Sequence, residues 1–312
     1  PGAEHELAAG GGLAFSLLPA LLYGPDHPFG HPPTGAPATV ASLTIDDVRT
    51  HHARIFGPQR SALVATGDVV LEEVIAMAQR SFSDWTAPNA VAPETIPPVA
   101  APEGRVHVAD FPGTPQTLIL VGKPIFERGH PDEIPLTVAN EAFGGSFSSR
   151  LNMNLREDKG YSYGAQSQVA FRRGVGAFVA YAAVQREHTG ASLREIASEV
   201  RALRDSDFRV EEIDLAREGL VRSLTGEFQT SGAVAAAATG LFVYDLPLDY
   251  YVTLGPRLQA VKPTEASAAA RQHLGSDTLT VLLVGDLEAI RGQLEDVGFG
   301  PIVPVEAPKP GG

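Results

Sequence analysis

A pattern of helix, strand, Gly-Asp and helix occurs twice in this chain, and it constrains the fold more than any other feature. The first copy begins with the helical segment 44–56, in which a threonine precedes early acidic residues, as is typical of a capped helix. The apolar run 62–66 follows and ends in Gly67 and Asp68, and the periodic segment 71–82 predicts a second helix. Such a cassette is a common way to cover a sheet in α/β proteins.

The second copy lies near the end of the sequence. A threonine-initiated helical segment at 264–274 precedes the apolar run 279–284, then Gly285 and Asp286, and then the segment 287–297. The order, the spacing and the Gly-Asp ending all match the first copy. We therefore predict two similar units that arose by duplication, with a chance recurrence of a common cassette as the alternative.

A Pro- and Ala-rich stretch at 86–103 separates the two copies and has no hydrophobic periodicity, so we interpret it as a linker. This predicts two domains: residues 1–98 hold the later part of a first unit and the linker, and residues 99–312 hold a complete second unit. Only a short segment precedes the first cassette. The residues that would open the first unit are therefore expected to lie outside this chain.

The second unit has enough elements for a sheet covered by helices. We predict an α+β fold made of two similar α/β sandwich units, each with a mixed, antiparallel-rich sheet, the first unit being incomplete. Segments 161–172 and 176–185 are β-rich and joined by a turn at Arg173 and Gly174, which predicts an antiparallel pair. The other predicted strands are 105–110 and 117–123, and the predicted helices are 132–143, 148–158, 188–204, 210–244 with a break near 231, and 250–261.

Composition excludes several classes of protein. The formal net charge of -13 argues against a nucleic-acid partner, because phosphates would be repelled, and it favours basic peptides instead. Cysteine is absent, so there is no disulfide framework and no thiolate nucleophile or ligand. The longest apolar runs are too short to cross a membrane.

Metal ligands at helical spacing are not found. Neither HExxH nor HxxEH occurs, and the nearest segments, 130–134 and 184–188, each lack one histidine. The pair at 51–52 would face apart on a helix, and prolines place the histidines of segment 27–31 in a turn that separates their rings. The sequence predicts no metal ligands and no cofactor bound by this chain. P-loop, dinucleotide and serine-hydrolase motifs are absent too.

One segment places a cation and a phenol on adjoining elements. A short helix over 148–158 ends at Gly160, with Arg156 in its last turn, and Tyr163 follows in the next strand. Both side chains could donate hydrogen bonds to an oxyanion. The structural alternative is that Arg156 neutralises the helix C-terminus and Tyr163 is a half-buried strand residue with a solvated hydroxyl.

The segment GGSFSSRLNMNLREDKGYSYG at 144–164 resembles the insulinase/pitrilysin family of metallopeptidases, which has an inverted HxxEH zinc motif. Further similarity lies in residues 22–30, 43–56 and 67–85 and in the second cassette, so the resemblance covers nearly the whole chain. It implies that Arg156 and Tyr163 bind substrate from the non-zinc lobe and stabilise the tetrahedral intermediate. The resemblance also implies that the HxxEH zinc site lies in the other lobe, in this chain's partner, where zinc is expected in the complete enzyme.

The resemblance thus implies the non-zinc half of a two-lobed zinc peptidase, acting on extended peptides and inactive alone. Two alternatives stay open: a catalytically inert, peptidase-like assembly subunit, and a peptide-binding module that uses a sheet edge. If an HxxEH motif precedes Pro1, the chain would be part of an active lobe. A periplasmic or secreted bacterial location is favoured by the resemblance alone.

Overall fold

Six strands form one mixed sheet in the computed structural model, which describes residues 10–87, 90–91, 95–276, 278–295 and 297–306. The strands are β1 Val106–Asp110, β2 Gln116–Ile125, β3 Ser162–Ala170, β4 Gly176–Gln185, β5 Thr280–Gly285 and β6 Ile302–Val305. Their order across the sheet is β3-β4-β2-β5-β1-β6. Three neighbouring pairs are antiparallel, and β1 runs parallel to both β5 and β6. The predicted antiparallel-rich mixed sheet is confirmed.

Helices flank this sheet. They are α1 Gly10–Tyr23, α2 Pro37–Ser42, α3 Ile45–Ile55, α4 Leu71–Phe82, α5 Glu133–Asn140, α6 Arg150–Asn152, α7 Thr189–Asp205, α8 Val210–Glu227, α9 Ser231–Val243, α10 Tyr250–Ala260, α11 Pro263–His273 and α12 Leu287–Ile290. Two π-helical turns, Glu141–Gly145 and Met153–Asp158, continue α5 and α6. None of the helices in the described ranges combines the length and apolarity needed to cross a bilayer.

Helices cover both faces of the sheet, and successive strand residues point to opposite faces, so β1, β2, β4 and β5 each contribute to two cores. Ile119 and Val121 of β2 contribute to the main core with α5, α7 and α11, while Leu120 between them joins a second core. That second core is formed with α1, whose Leu18 and Leu22 are buried. Residues 10–23 therefore pack on the sheet of the second unit, although they precede the predicted boundary at residue 98.

The first cassette is formed in part. Thr44 caps α3 as predicted: its Oγ1 accepts the Asp47 N–H at 3.2 Å, and the Asp47 carboxylate accepts the Thr44 N–H at 2.8 Å. The strand predicted at 62–66 is wrong, since these residues have no regular structure and are largely exposed. A strand requires a hydrogen-bonding neighbour, and no strand in the described residues pairs with this segment.

The second cassette differs from the prediction only at its helix ends. Its first helix begins at Pro263 rather than at a Thr264 cap, and the Glu265 carboxylate accepts the Lys262 N–H at 2.9 Å. Its last helix is four residues long and continues as the 3-10 turn Arg291–Gln293. The sequence analysis missed β6, whose residues are only partly buried and give a weak pattern.

Candidate functional site

The π-helical turn that carries Arg156 is fastened to α7 by polar side chains. Asn154 Nδ2 donates to Glu195 and Glu199 at 3.1 and 2.8 Å, and Lys159 Nζ lies 3.0 Å from Glu195. Burial alone would raise the pKa of Glu195, but the hydrogen bonds from Lys159 and Asn154 outweigh it and lower this pKa. A π-helical turn of this kind is often found at functional sites.

Arg156 extends from this turn into solvent. Its guanidinium lies over the ring of Phe147, 4.6 Å from the centroid, and its Nε is 3.3 Å from the Glu157 carboxylate. Phe147 is itself an exposed aromatic residue. The stacking orients the planar guanidinium, and Glu157 leaves the remaining N–H donors of Arg156 available to an incoming group.

Tyr163 lies at an irregularity in β3. The register of the pairing with β4 shifts between Ser162 and Ala165, so the strand bulges at Tyr163. Ser162 supports the bulge, because its Oγ lies 2.7 Å from the carbonyl oxygens of Gly164 and Ala183, either of which can accept its one proton, and it accepts the Gly164 N–H at 3.1 Å. Bulges re-aim side chains. Tyr163 is 87% exposed, and none of the described residues hydrogen-bonds its hydroxyl.

Two contacts hold the Arg156 turn and the start of β3 together. The Tyr161 N–H donates to the Leu155 carbonyl at 2.9 Å. Asn152, which is buried, donates to the Phe147 carbonyl at 2.7 Å and accepts the Ala165 N–H at 3.1 Å. The amide of Asn152 thus joins both elements next to the two predicted site residues. No sequence pattern predicts this bridge, because it forms only when the start of β3 is placed beside Asn152.

A glycine of the segment 144–164 allows a close approach between the end of the preceding helix and β3. A Cβ on Gly144 would lie 2.3 Å from the Ser167 Oγ and 2.7 Å from the Ser167 nitrogen. Beside them, Asn140 and Ser167 exchange two buried hydrogen bonds of 3.2 and 2.8 Å. The helix that precedes the site therefore packs directly on β3, and only a glycine fits at this contact.

A partly buried ion pair anchors α6 to α8. Arg150 donates to both carboxylate oxygens of Glu212, each at 2.8 Å, and its guanidinium stacks on Phe208 at 4.4 Å. Burial alone would raise the pKa of Glu212, but the hydrogen bonds from Arg150 and from Arg209 outweigh it and lower the pKa to about 2. Sequence analysis did not identify this pair, since the partners are 62 residues apart.

The described residues contain one group of potential metal ligands, His130, Asp132 and His273, whose donor atoms lie within 4.8 Å of one another. It does not fit a hydrolytic zinc site, which needs a carboxylate free to act as a base. The carboxylate of Glu133, the residue after Asp132, accepts hydrogen bonds from Arg128, the Gly129 N–H and Tyr250 at 2.7 to 2.9 Å.

Comparison with known proteins relates this chain to a peptidase family. Residues 42–220 match the model of the peptidase M16 inactive domain. An uncharacterized zinc protease of Streptomyces coelicolor is 25% identical over 281 residues, which cover 85% of this chain and 58% of that protein. A non-peptidase homolog of Helicobacter pylori is 19% identical over 260 residues, covering 83% of this chain and 60% of that protein.

Structural comparison agrees on the fold. The crystal structure of a peptidase M16 inactive domain from Pseudomonas fluorescens matches with a TM-score of 0.82 and 23% identity, covering 91% of this chain and 68% of that one. The chain spans somewhat more than half the length of the two relatives described above. The family model covers more than half of the 312 residues. The chain therefore belongs to the peptidase M16 family and corresponds to the inactive domain of that family.

Proposed function

We propose that this chain is the non-zinc half of a two-lobed zinc peptidase, in which Arg156 and Tyr163 stabilise the tetrahedral intermediate formed at the partner lobe. The observation that carries the proposal is that both donors are exposed on two elements that hydrogen bonds fasten together. Neither side chain packs into the core. Membership of an inactive domain family supports the division into a zinc-bearing lobe and this one.

The roles of the two side chains follow from their chemistry. Arg156 supplies a permanent positive charge and a planar fork of donors, and the Tyr163 hydroxyl supplies one neutral donor. Donors fixed before the reaction stabilise negative charge where it develops on the former carbonyl oxygen. A zinc ion in the partner lobe would polarise that carbonyl and activate water. The bulge in β3 and the Asn152 bridge keep both donors in place.

Extended peptides are the proposed substrates. The net charge of -13 attracts basic chains, and β3 has one edge that no other strand in the described residues pairs with. An extended peptide can add to such an edge by main-chain hydrogen bonds. Phe147 and Met153, both exposed close to Arg156, would contact apolar side chains of the peptide.

The test uses the complete enzyme, assembled with its zinc-bearing lobe. Arg156→Ala and Tyr163→Phe should each lower kcat for a basic peptide about a hundred- to a thousandfold and leave KM little changed, because the donors act mainly in the transition state. The double variant should lose less than the product of the two effects. Steady-state kinetics on each variant gives both constants.

The matched controls remove one arginine side chain and one tyrosine hydroxyl at positions away from the candidate site. Arg222→Ala, at an exposed position of α8, and Tyr181→Phe, whose hydroxyl donates to Gln166 at 2.7 Å, should leave kcat unchanged. An unaltered kcat in Arg156→Ala and Tyr163→Phe, with the fold intact by circular dichroism, would exclude the catalytic role.

A second candidate is a catalytically inert, peptidase-like assembly or peptide-binding subunit. The relative in Helicobacter pylori that is named a non-peptidase homolog favours it. The open edge of β3 serves binding equally well. Saturable binding of a peptide by the zinc-complete assembly, without hydrolysis, would support this candidate over the enzyme.

A further inference from the structure

Three potential metal ligands lie close together outside the segment that carries Arg156 and Tyr163. His130 and Asp132 lie in the loop between β2 and α5, and His273 is the last residue of α11. His273 Nε2 is 2.8 Å from Asp132 Oδ2, His130 Nδ1 is 3.9 Å from the same oxygen, and the three donor atoms lie within 4.8 Å of one another. Tetrahedral zinc with bonds of about 2.0 to 2.1 Å places its ligands about 3.3 Å apart, inside this range of spacings.

The chemistry of the donors matches a divalent transition metal. Two imidazoles and one carboxylate suit Zn²⁺, Co²⁺ or Ni²⁺ rather than Mg²⁺ or Ca²⁺, which prefer oxygen ligands. The Asp132 N–H donates to His130 Nδ1 at 3.1 Å. In this hydrogen bond Nδ1 is the acceptor and its lone pair points toward the Asp132 N–H, so a metal ion would replace a backbone N–H as its partner.

An aromatic ring covers one side of the ligand group. The ring of Phe126 stacks on His130 with centroids 4.1 Å apart and meets His273 edge-on at 4.6 Å. The three ligand side chains are 35%, 33% and 13% exposed, so one side of the group stays open to solvent and to a fourth ligand. Aromatic shielding of this kind lowers the local dielectric constant and strengthens metal coordination.

The loop is held in place independently of any metal. Glu133 is buried and binds the Gly129 N–H, Arg128 and the Tyr250 hydroxyl. Gly129 has φ of +89°, which allows the tight turn before His130. Pro131 fixes the backbone between the two loop ligands. Little chain entropy would therefore be lost on coordination.

We propose that His130, Asp132 and His273 bind one divalent transition metal ion, of which Zn²⁺ fits the donors best. The ion joins the start of α5 to the end of α11, and both helices belong to the main core. Coordination therefore stabilises the folded chain by mass action. The sequence analysis did not predict this site, because segment 130–134 has Ile134 where a second histidine ligand would stand. The second histidine, His273, comes from a distant part of the sequence.

The experiment titrates chelator-treated protein with Co²⁺ and follows the d–d absorption, with Zn²⁺ as competitor and the shift in Tm as a second readout. The wild type should bind one Co²⁺ per chain, and Zn²⁺ should displace it and raise Tm. His130→Ala should weaken Co²⁺ binding at least about tenfold and abolish the Tm shift. This variant leaves the His273 to Asp132 hydrogen bond intact, so it should still fold.

His51→Ala is the matched control, because His51 lies on the exposed helix α3. It should bind Co²⁺ like the wild type, and Asp132→Asn should lose affinity like His130→Ala. Two results would overturn the proposal. If the wild type shows no saturable Co²⁺ binding, the group is only a hydrogen-bonded link between α5 and α11. If His130→Ala and His51→Ala bind Co²⁺ with equal affinity, the ion binds at another histidine.

Discussion

At the scale of single residues, buried and partly buried polar side chains position exposed ones. Arg156 and Tyr163 make few contacts of their own, and their placement depends on Asn152 and Ser162. The sequence identified the two exposed residues through the motif at 144–164. It could not identify Asn152 as a bridge, because an amide at that position has many possible partners until the strand is placed beside it.

Gly144 provides a test of the packing that supports the site. Gly144→Ala should destabilise the fold by about 1 to 3 kcal/mol, because the new Cβ would meet Ser167 at 2.3 Å and force β3 away. Urea denaturation measures the change in the free energy of unfolding. Gly226→Ala is the control: no atom lies within 4 Å of a Cβ there, so alanine in helix α8 should stabilise by up to about 1 kcal/mol. Equal stability of Gly144→Ala and the wild type would contradict the close contact.

At the scale of elements, the short helix α6 is stabilised by tertiary contacts. Three residues cannot form a stable helix by propensity. Arg150 attaches it to Glu212 of α8, and Asn154 attaches the following π-helical turn to α7. The sequence predicted the longer helices and the hairpin of β3 and β4 correctly, since their periodicity is continuous. It failed at residues 62–66, where an apolar run has no neighbouring strand.

The pair of Arg150 and Glu212 predicts a pH dependence of stability. The pKa of Glu212 is about 2 in the fold and 4.5 ordinarily, so its contribution is complete above about pH 4.5 and is lost as the pH falls toward 2. Glu212→Gln should cost about 2 kcal/mol at pH 7, after allowance for solvent screening. This difference from the wild type should shrink between pH 5 and pH 3 in urea denaturation.

The control for this pair is Glu218→Gln on the same helix. Glu218 is exposed and 3.9 Å from Arg222, so its loss should change the free energy of unfolding by less than about 0.5 kcal/mol at any pH. A constant difference between Glu212→Gln and the wild type from pH 7 to pH 3 would contradict the lowered pKa.

At the scale of the whole molecule, burial is uneven. The sheet has helices on one face and α1 on the other, whereas α3 and α4 have no buried residues at all. Both are amphipathic, and Ile45, Val48 and Leu71 are more than half exposed. The division into two units at residue 98 remains a prediction. The observation that bears on it is that α3 and α4, which precede this boundary, have no buried residues, whereas the sheet that follows it contributes to the main core.

Hydrogen exchange should reveal this contrast. Amides of α3 and α4 should exchange at least about a hundredfold faster than those of β5, because local opening of these two helices exposes little additional apolar surface. Mass spectrometry of peptides from 45–55, 71–82 and 280–285 measures the difference. Comparable protection in all three segments would mean that the apolar faces of α3 and α4 are covered in solution.

The sequence by itself determined most of the secondary structure of the second unit, although not β6, together with the Thr44 cap and the family resemblance, because these depend on local periodicity and on short motifs. Only the tertiary structure decided that α1 covers the sheet, that Asn152 bridges the site and that His273 joins His130 and Asp132. The physical reason is that each of these contacts joins residues that are separated along the chain and brought together only by tertiary folding, and a side chain's type does not specify which partner it will meet.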